Sequence, residues 1–251
     1  MHTGPIIEIR KLKEINIEGG VVFDGFYNIG IGLTSTITCG CFINSLKTEL
    51  VGILDSSLFS PMSVIYDGRP NFPSRIYANE EKKLAFFVSE LVLEPSAYRP
   101  VADMILRWSK DNKCKTIISI AGKSIEKEDR SIMTKDEEPS LNVISNSPII
   151  MKELNDVGVL SLKSGTINGI PGILLNESIW KNIDVIVFVV DVIAGVPNFR
   201  AAANVAQAVS KIVPEAYCEI QPLIKEAEKI ENSLKMINSQ ASNKFEKQIY
   251  R

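Results

Sequence analysis

The sequence predicts an α/β protein built on a mainly parallel sheet covered on both faces, and three observations predict it. "KTIISIAG" (residues 115–122) and "DVIVFVVDV" (residues 184–192) are apolar without alternation, as strands buried on both faces are. Along the chain, strand-like runs of β-branched residues alternate with segments whose apolar residues recur every three or four positions. A length of 251 residues at 45% hydrophobic content supplies a sizeable core.

Taken in order, "GGVVFDGF" reads as the first strand. In "IGLTSTITCGCFINSL" Leu33, Ile37 and Cys41 form a helical stripe, and the absence of charge before Lys47 predicts a helix enclosed on most sides. "ELVGILD" is the next strand. "SVIYDGRP" and "SRIYANEEKKLAFFVSE" are short strands joined by turns at Asp67-Gly68 and at Asn79 to Lys83, which predicts antiparallel hairpins on one edge of the sheet.

A helix capped by Ser96, with Val101, Ile105 and Trp108 on one face, is expected to end near Asn112. After "KTIISIAG", the charged stretch "KSIEKEDRSIMTKDEEPS" holds too few large apolar residues to offset its ordering entropy and reads as a loop. "SLNVIS" resumes the sheet, Pro148 opens a short helix, "VGVLSL" is a strand, and "SGTINGIPG" carries turn glycines. "DVIVFVVDV" then feeds a helix with Phe199, Ala202, Ala206, Val209 and Val213 on one face. From Pro222 the same step recurs at Leu223, Ala227, Ile230, Leu234, Ile237 and Ala241, a long amphipathic helix suited to self-association. The organisation expected is one α/β domain over residues 1–221, followed by an amphipathic helix and mobile tail over residues 222–251.

Composition excludes several function classes. With 28 Lys and Arg against 30 Asp and Glu, the formal charge of -2 offers no basic footprint for nucleic acid or an anionic membrane. No apolar run reaches the roughly 20 residues that span a bilayer, and the N-terminus does not have the pattern of a signal peptide, so a cytoplasmic protein is expected. Cys39, Cys41, Cys114 and Cys218 lack metal or redox spacing and read as reduced packing residues.

The single histidine, His2, lies in a segment expected to fray, which removes hydrolase triads and His-based metal sites. "AGKS" at Ala121 to Ser124 has Ile117 where a phosphate loop needs glycine, and reads as a turn at a strand end. Gly25, Gly30 and Gly32 lie between a strand and a helix, where backbone N–H groups can face an anion, but no local cation accompanies them. No catalytic constellation, cofactor or metal is expected. Asp24, Asp55, Asp67, Glu90, Glu94 and Asp191 read as caps and turns, with Arg69, Arg75 and Arg200 as anion holders should a cleft exist.

"GFYNIGIGLTSTI", "VGILDSSLFSPMSVIYDGRPNFPSRIYA", "SGTINGIPGILL" and "DVIVFVVDVIAGVPNFRAAANVA" together resemble the PAC2 family, archaeal homologues of proteasome assembly chaperones, over roughly residues 15 to 215. The resemblance implies a three-layer αβα sandwich similar to purine nucleoside phosphorylases, and a non-enzymatic homo-oligomer. One departure is Tyr27-Asn28, where the family commonly has a proline. The sequence closes on "NKFEKQIYR", and Ile249-Tyr250-Arg251 fits the hydrophobic-Tyr-X ending that such proteins insert into pockets between α-subunits of the proteasome ring. The resemblance thus makes Ile249, Tyr250 and Arg251 the partner-binding residues and the α-ring of the 20S particle the partner. The competing expectation is an enzyme that handles a nucleoside or similar ligand in a phosphorylase-like cleft near Gly25, Gly30 and Gly32.

Overall fold

The computed structural model of the chain describes residues 7–26, 33–125, 139–193 and 196–230. Eleven strands and five helices are assigned among them. The strands are β1 (Glu8–Lys11), β2 (Val21–Gly25), β3 (Glu49–Asp55), β4 (Val64–Tyr66), β5 (Arg69–Asn71), β6 (Ser74–Asn79), β7 (Leu84–Ser89), β8 (Thr116–Ile125), β9 (Leu141–Ser145), β10 (Leu160–Ser161) and β11 (Asp184–Ile193). The helices are α1 (Thr34–Ser45), α2 (Pro95–Asp111), α3 (Pro148–Asp156), α4 (Gly169–Lys181) and α5 (Phe199–Ile212). Residues 221–230 are also helical.

Nine strands form one sheet in the order β1-β3-β6-β7-β2-β8-β11-β9-β10, and β4 and β5 form a separate hairpin. The four central strands, β7, β2, β8 and β11, run parallel. On one flank β6, β3 and β1 add by antiparallel pairing. On the other, β9 is antiparallel to β11 and parallel to β10. The apolar runs that read as doubly buried are β8 and β11, in register from Thr116↔Asp184 to Ile125↔Ile193.

Two cores lie on opposite faces, which makes the molecule a three-layer αβα sandwich. One collects Phe42 of α1, Leu154 of α3 and the alanines of α5 against Phe23, Phe86, Ile118 and Phe188. Its centre is aromatic: Phe23 stacks on Phe86 at 4.8 Å between ring centroids and meets Phe42 at 5.4 Å. The other packs Val101, Ile105 and their neighbours of α2, with Ile170 and Leu174 of α4, against Val22, Phe87, Ile117 and Val187. Trp108 meets Phe87 edge-on at 5.1 Å.

Four expectations are corrected. Ser96 does not cap α2: the helix starts at Pro95, whose fixed φ suits a first helical position, and Glu94 takes the cap position. Ala121 to Ser124 is not a turn, because β8 continues through it, paired with Val189 to Val192. "VGVLSL" contributes only Leu160–Ser161 as strand. The four cysteines are not all reduced: Cys41 and Cys218 form a disulfide, while Cys39 and Cys114 are free and buried. The paired residues are 177 positions apart, and only the packing of α1 beside α5 brings them together.

Candidate functional site

Three places can carry function: the joint between β2 and α1, the polar cluster at the open ends of β6 and β7, and the base of the C-terminal segment. At the first, β2 pairs with β8 only as far as Phe23↔Ile118, then with β7 alone through Gly25↔Val88, so the central strands part there. Asp24, 3% exposed, sits at this fork and accepts hydrogen bonds from the Ser119 hydroxyl at 2.6 Å and the Phe26 amide at 3.1 Å. Burial pushes its pKa up to about 6, against the pull of those two donors. The hydroxyls of Ser35 and Thr36, at the start of α1, donate to the Phe26 and Gly25 carbonyls at 2.7 and 3.1 Å.

This joint is built for close packing. A Cβ at Gly25 would come within 2.6 Å of the Phe87 carbonyl oxygen and 2.8 Å of Cys39 Sγ, so the glycine lets α1 approach the strand. Gly30 and Gly32, the rest of the expected cleft, lie outside the described residues. The Ser35 and Thr36 hydroxyls are spent on the Phe26 and Gly25 carbonyls, and among the described residues Asp24 has a serine and a backbone amide as hydrogen-bond partners.

At the second place, Arg75 of β6 pairs with Glu90 just past β7, and the Tyr66 hydroxyl donates to the same carboxylate oxygen at 2.9 Å. The Arg75 guanidinium lies over the rings of Tyr66 and Tyr77, at 5.4 and 5.9 Å. Its side chain is 7% exposed, and Arg75 Nε, Glu90 Oε2 and Ser74 Oγ find no hydrogen-bond partner among the described residues. The cluster therefore ties the β4–β5 hairpin to the sheet. Of the other expected carboxylates, Asp55 pairs with Arg10 at 2.5 Å and Asp67 makes the hairpin turn at φ 49°. Burial raises the Asp191 pKa, against the pull of nearby Lys123. Arg69 lies in β5, and Arg200, in the first turn of α5, lines a small cavity with Asp191.

At the third place the chain leaves α5, crosses to α1 and starts its last helical stretch. Cys218 is bonded to Cys41, and the Glu219 amide donates to Ser45 Oγ at 3.0 Å. The Ser210 hydroxyl donates to the Ala216 carbonyl at 2.6 Å. Leu223 is then buried on the same core with Ile224 packed against it, and Ala227, four residues on as expected for one helical face, is buried too. Leu234, Ile237 and Ala241, and the expected partner-binding residues Ile249, Tyr250 and Arg251, lie outside the described residues.

The comparisons with known proteins fit this frame. A model of the PAC2 family matches residues 22–237. The chain belongs to the PAC2 family. PbaA from Pyrococcus furiosus, an archaeal homologue of proteasome-assembly chaperone, is 30% identical. It superposes with a TM-score of 0.79 over 96% of this chain and 97% of its own. PbaB from the same organism, an archaeal proteasome activator, shares the fold at a TM-score of 0.77 and 17% identity, over 93% of this chain and 99% of its own. An uncharacterized protein of Methanocaldococcus jannaschii is 26% identical over 232 residues, 92% of this chain and 90% of that one. The αβα fold expected from the sequence is the one that PbaA and PbaB have.

Proposed function

We propose that this PAC2 protein is a non-enzymatic, cytoplasmic proteasome-assembly chaperone, a homo-oligomer that docks Ile249, Tyr250 and Arg251 into pockets between neighbouring α-subunits of the proteasome ring. The observation that carries the reading is the full-length likeness to PbaA, at 30% identity, on a chain whose final residues are Ile-Tyr-Arg. In such a contact the terminal carboxylate meets a cation in the pocket, Tyr250 packs and hydrogen-bonds at the wall, and Ile249 buries its side chain.

The base of the C-terminal segment supports the reading. Residues 221–230 are held on the α1–α5 face through Leu223 and Ile224, so the remaining chain starts from a fixed point. From there to Ile249 the chain reaches about 30 Å as helix and about 60 Å when extended, enough to bridge to a neighbouring particle. A single three-residue contact binds weakly, because it must offset the ordering of its own tether. Several copies on one oligomer act together, since the first contact raises the effective concentration of the others. Apolar surface for self-association is available: Trp180 is 85% exposed, next to exposed Ile179.

The test is co-purification with assembled α-rings or 20S particles of the full chain and of a version lacking Ile249 to Arg251. The full chain is expected to be retained and the shortened one lost. Equal retention of both would remove the tail from the mechanism.

A further inference from the structure

The disulfide sits at the one place where the domain hands over to the C-terminal segment. Cys41 is on α1, which is packed into the sheet and α5, whereas Cys218 lies in the irregular stretch between α5 and residues 221–230. Apart from the bond between them, that stretch is held by the Ser45–Glu219 and Ser210–Ala216 hydrogen bonds, by the turn bond from the Ala216 amide to the Val213 carbonyl, and by Val213, Ala216 and Ile220 on the core, with Leu223 and Ile224 following. An irregular stretch outside the helices and the sheet ladder is a locally weaker unit that opens before the domain does. A covalent link across 177 residues strongly restricts that opening.

We propose that Cys41 and Cys218 are a redox-controlled clasp, opened by a dithiol reductant and closed by a disulfide oxidant, that sets how firmly the base of the C-terminal segment is held on the domain. In the opening step a thiolate of the reductant attacks one sulfur and forms a mixed disulfide. The other cysteine leaves as a thiolate and takes up a proton. The reductant's second thiol then attacks its own bonded sulfur, frees the remaining cysteine as a thiol and leaves as a disulfide. Two electrons and two protons pass to the Cys41–Cys218 pair, and closing reverses each step.

The surroundings suit a reversible device. Cys41 Sγ lies 3.4 Å from the Glu219 carbonyl oxygen, an acceptor for the thiol proton that reduction creates, so the open state keeps its sulfur satisfied. The two free cysteines do not compete. Burial, and then the Asp24 charge, push the Cys39 thiol well above its ordinary range, and burial pushes Cys114 up to about 12, so neither supplies a thiolate at neutral pH. Cys41 and Cys218 are 8% and 6% exposed, so a reductant reaches them through local opening of the segment that they secure. The consequence for docking rests on the tail reading above, whereas the clasp itself does not.

The experiment uses the full chain, air-oxidised or treated with dithiothreitol, and reads two quantities. Alkylation under denaturing conditions followed by intact mass is expected to add two labels to the oxidised protein, on Cys39 and Cys114, and four to the reduced one. Amide hydrogen exchange over residues 216–230 is expected to be about tenfold faster in the reduced protein, with the sheet unchanged. Cys218→Ser should match the reduced wild type and ignore the reductant; the wild-type pair of measurements stands alone if that variant fails to fold. Four labels on the oxidised protein, or equal exchange in both states, would overturn the clasp. The same redox-dependent exchange in a chain lacking Ile249 to Arg251 separates failure of the docking reading from failure of the clasp.

Discussion

Asp24 accepts a 2.6 Å hydrogen bond from Ser119 at the fork where β2 and β8 part, with its carboxyl buried. Burial holds the folded-state pKa at about 6, above the ordinary 3.8, so the folded protein binds this proton more tightly than the unfolded chain does. The group's contribution to stability is therefore fully present below about pH 4 and is lost as pH rises through about 6, a difference of about 3 kcal/mol. Asp24→Asn keeps the acceptor oxygen and cannot ionise. Denaturant unfolding of both proteins from pH 4 to 7 should show wild type losing that amount relative to the variant as pH rises. Parallel pH profiles would contradict the assignment.

Gly25 makes room for α1. Adding a methyl group against the Phe87 carbonyl and Cys39 should destabilise Gly25→Ala by about 1–3 kcal/mol in urea melts. Were the glycine an anion-binding turn in open space, the variant would melt with wild type. In thermal melts phosphate and nucleosides should leave the melting temperature of wild type unchanged, because a ligand that binds only the folded state must raise it.

The stacked rings of Phe23, Phe42 and Phe86 anchor the face on which both α1 and the C-terminal segment lie. Phe42→Ala should cost about 3–5 kcal/mol, mostly from the cavity left in a packed core. Phe42→Leu should cost much less. Equal losses for the two would show that volume is not the cause.

Glu90 compensates a nearly buried guanidinium. Glu90→Ala leaves the Arg75 charge unpaired and should cost about 3–5 kcal/mol, whereas Arg75→Met combined with Glu90→Leu should recover much of that loss. A double-mutant cycle reads the coupling directly. A coupling near zero would mean that the hairpin is held by the tyrosines alone.

Much of this fold was legible in the sequence because its central elements are long and strongly patterned. The apolar β8 and β11, the stripe of α5 and the charged turn between β6 and β7 each carry a signal that tertiary context does not overturn. α4 was missed because Gly169, Pro171 and Gly172 look like turn residues. Its buried face, Ile170, Leu174 and Ser178, does keep the four-residue step, and Gly172 is needed because a Cβ there would lie 2.2 Å from the Ile167 carbonyl oxygen. β1 was missed because a four-residue edge strand with one face in solvent has almost no pattern to read. The Cys41–Cys218 bond and the Asp24–Ser119 pair were invisible, since each joins residues far apart in sequence. The proposed docking residues rest on the Ile-Tyr-Arg sequence and on family likeness, with no periodicity to support them.

The central claim is that this PAC2 chain engages the proteasome through Ile249, Tyr250 and Arg251, and native mass spectrometry of the full chain mixed with α-rings tests it most directly. The account predicts a complex of the chain's oligomer with the ring that disappears for Tyr250→Ala while the oligomer itself persists. A complex of undiminished abundance with Tyr250→Ala, or no complex with the intact chain at all, would contradict it.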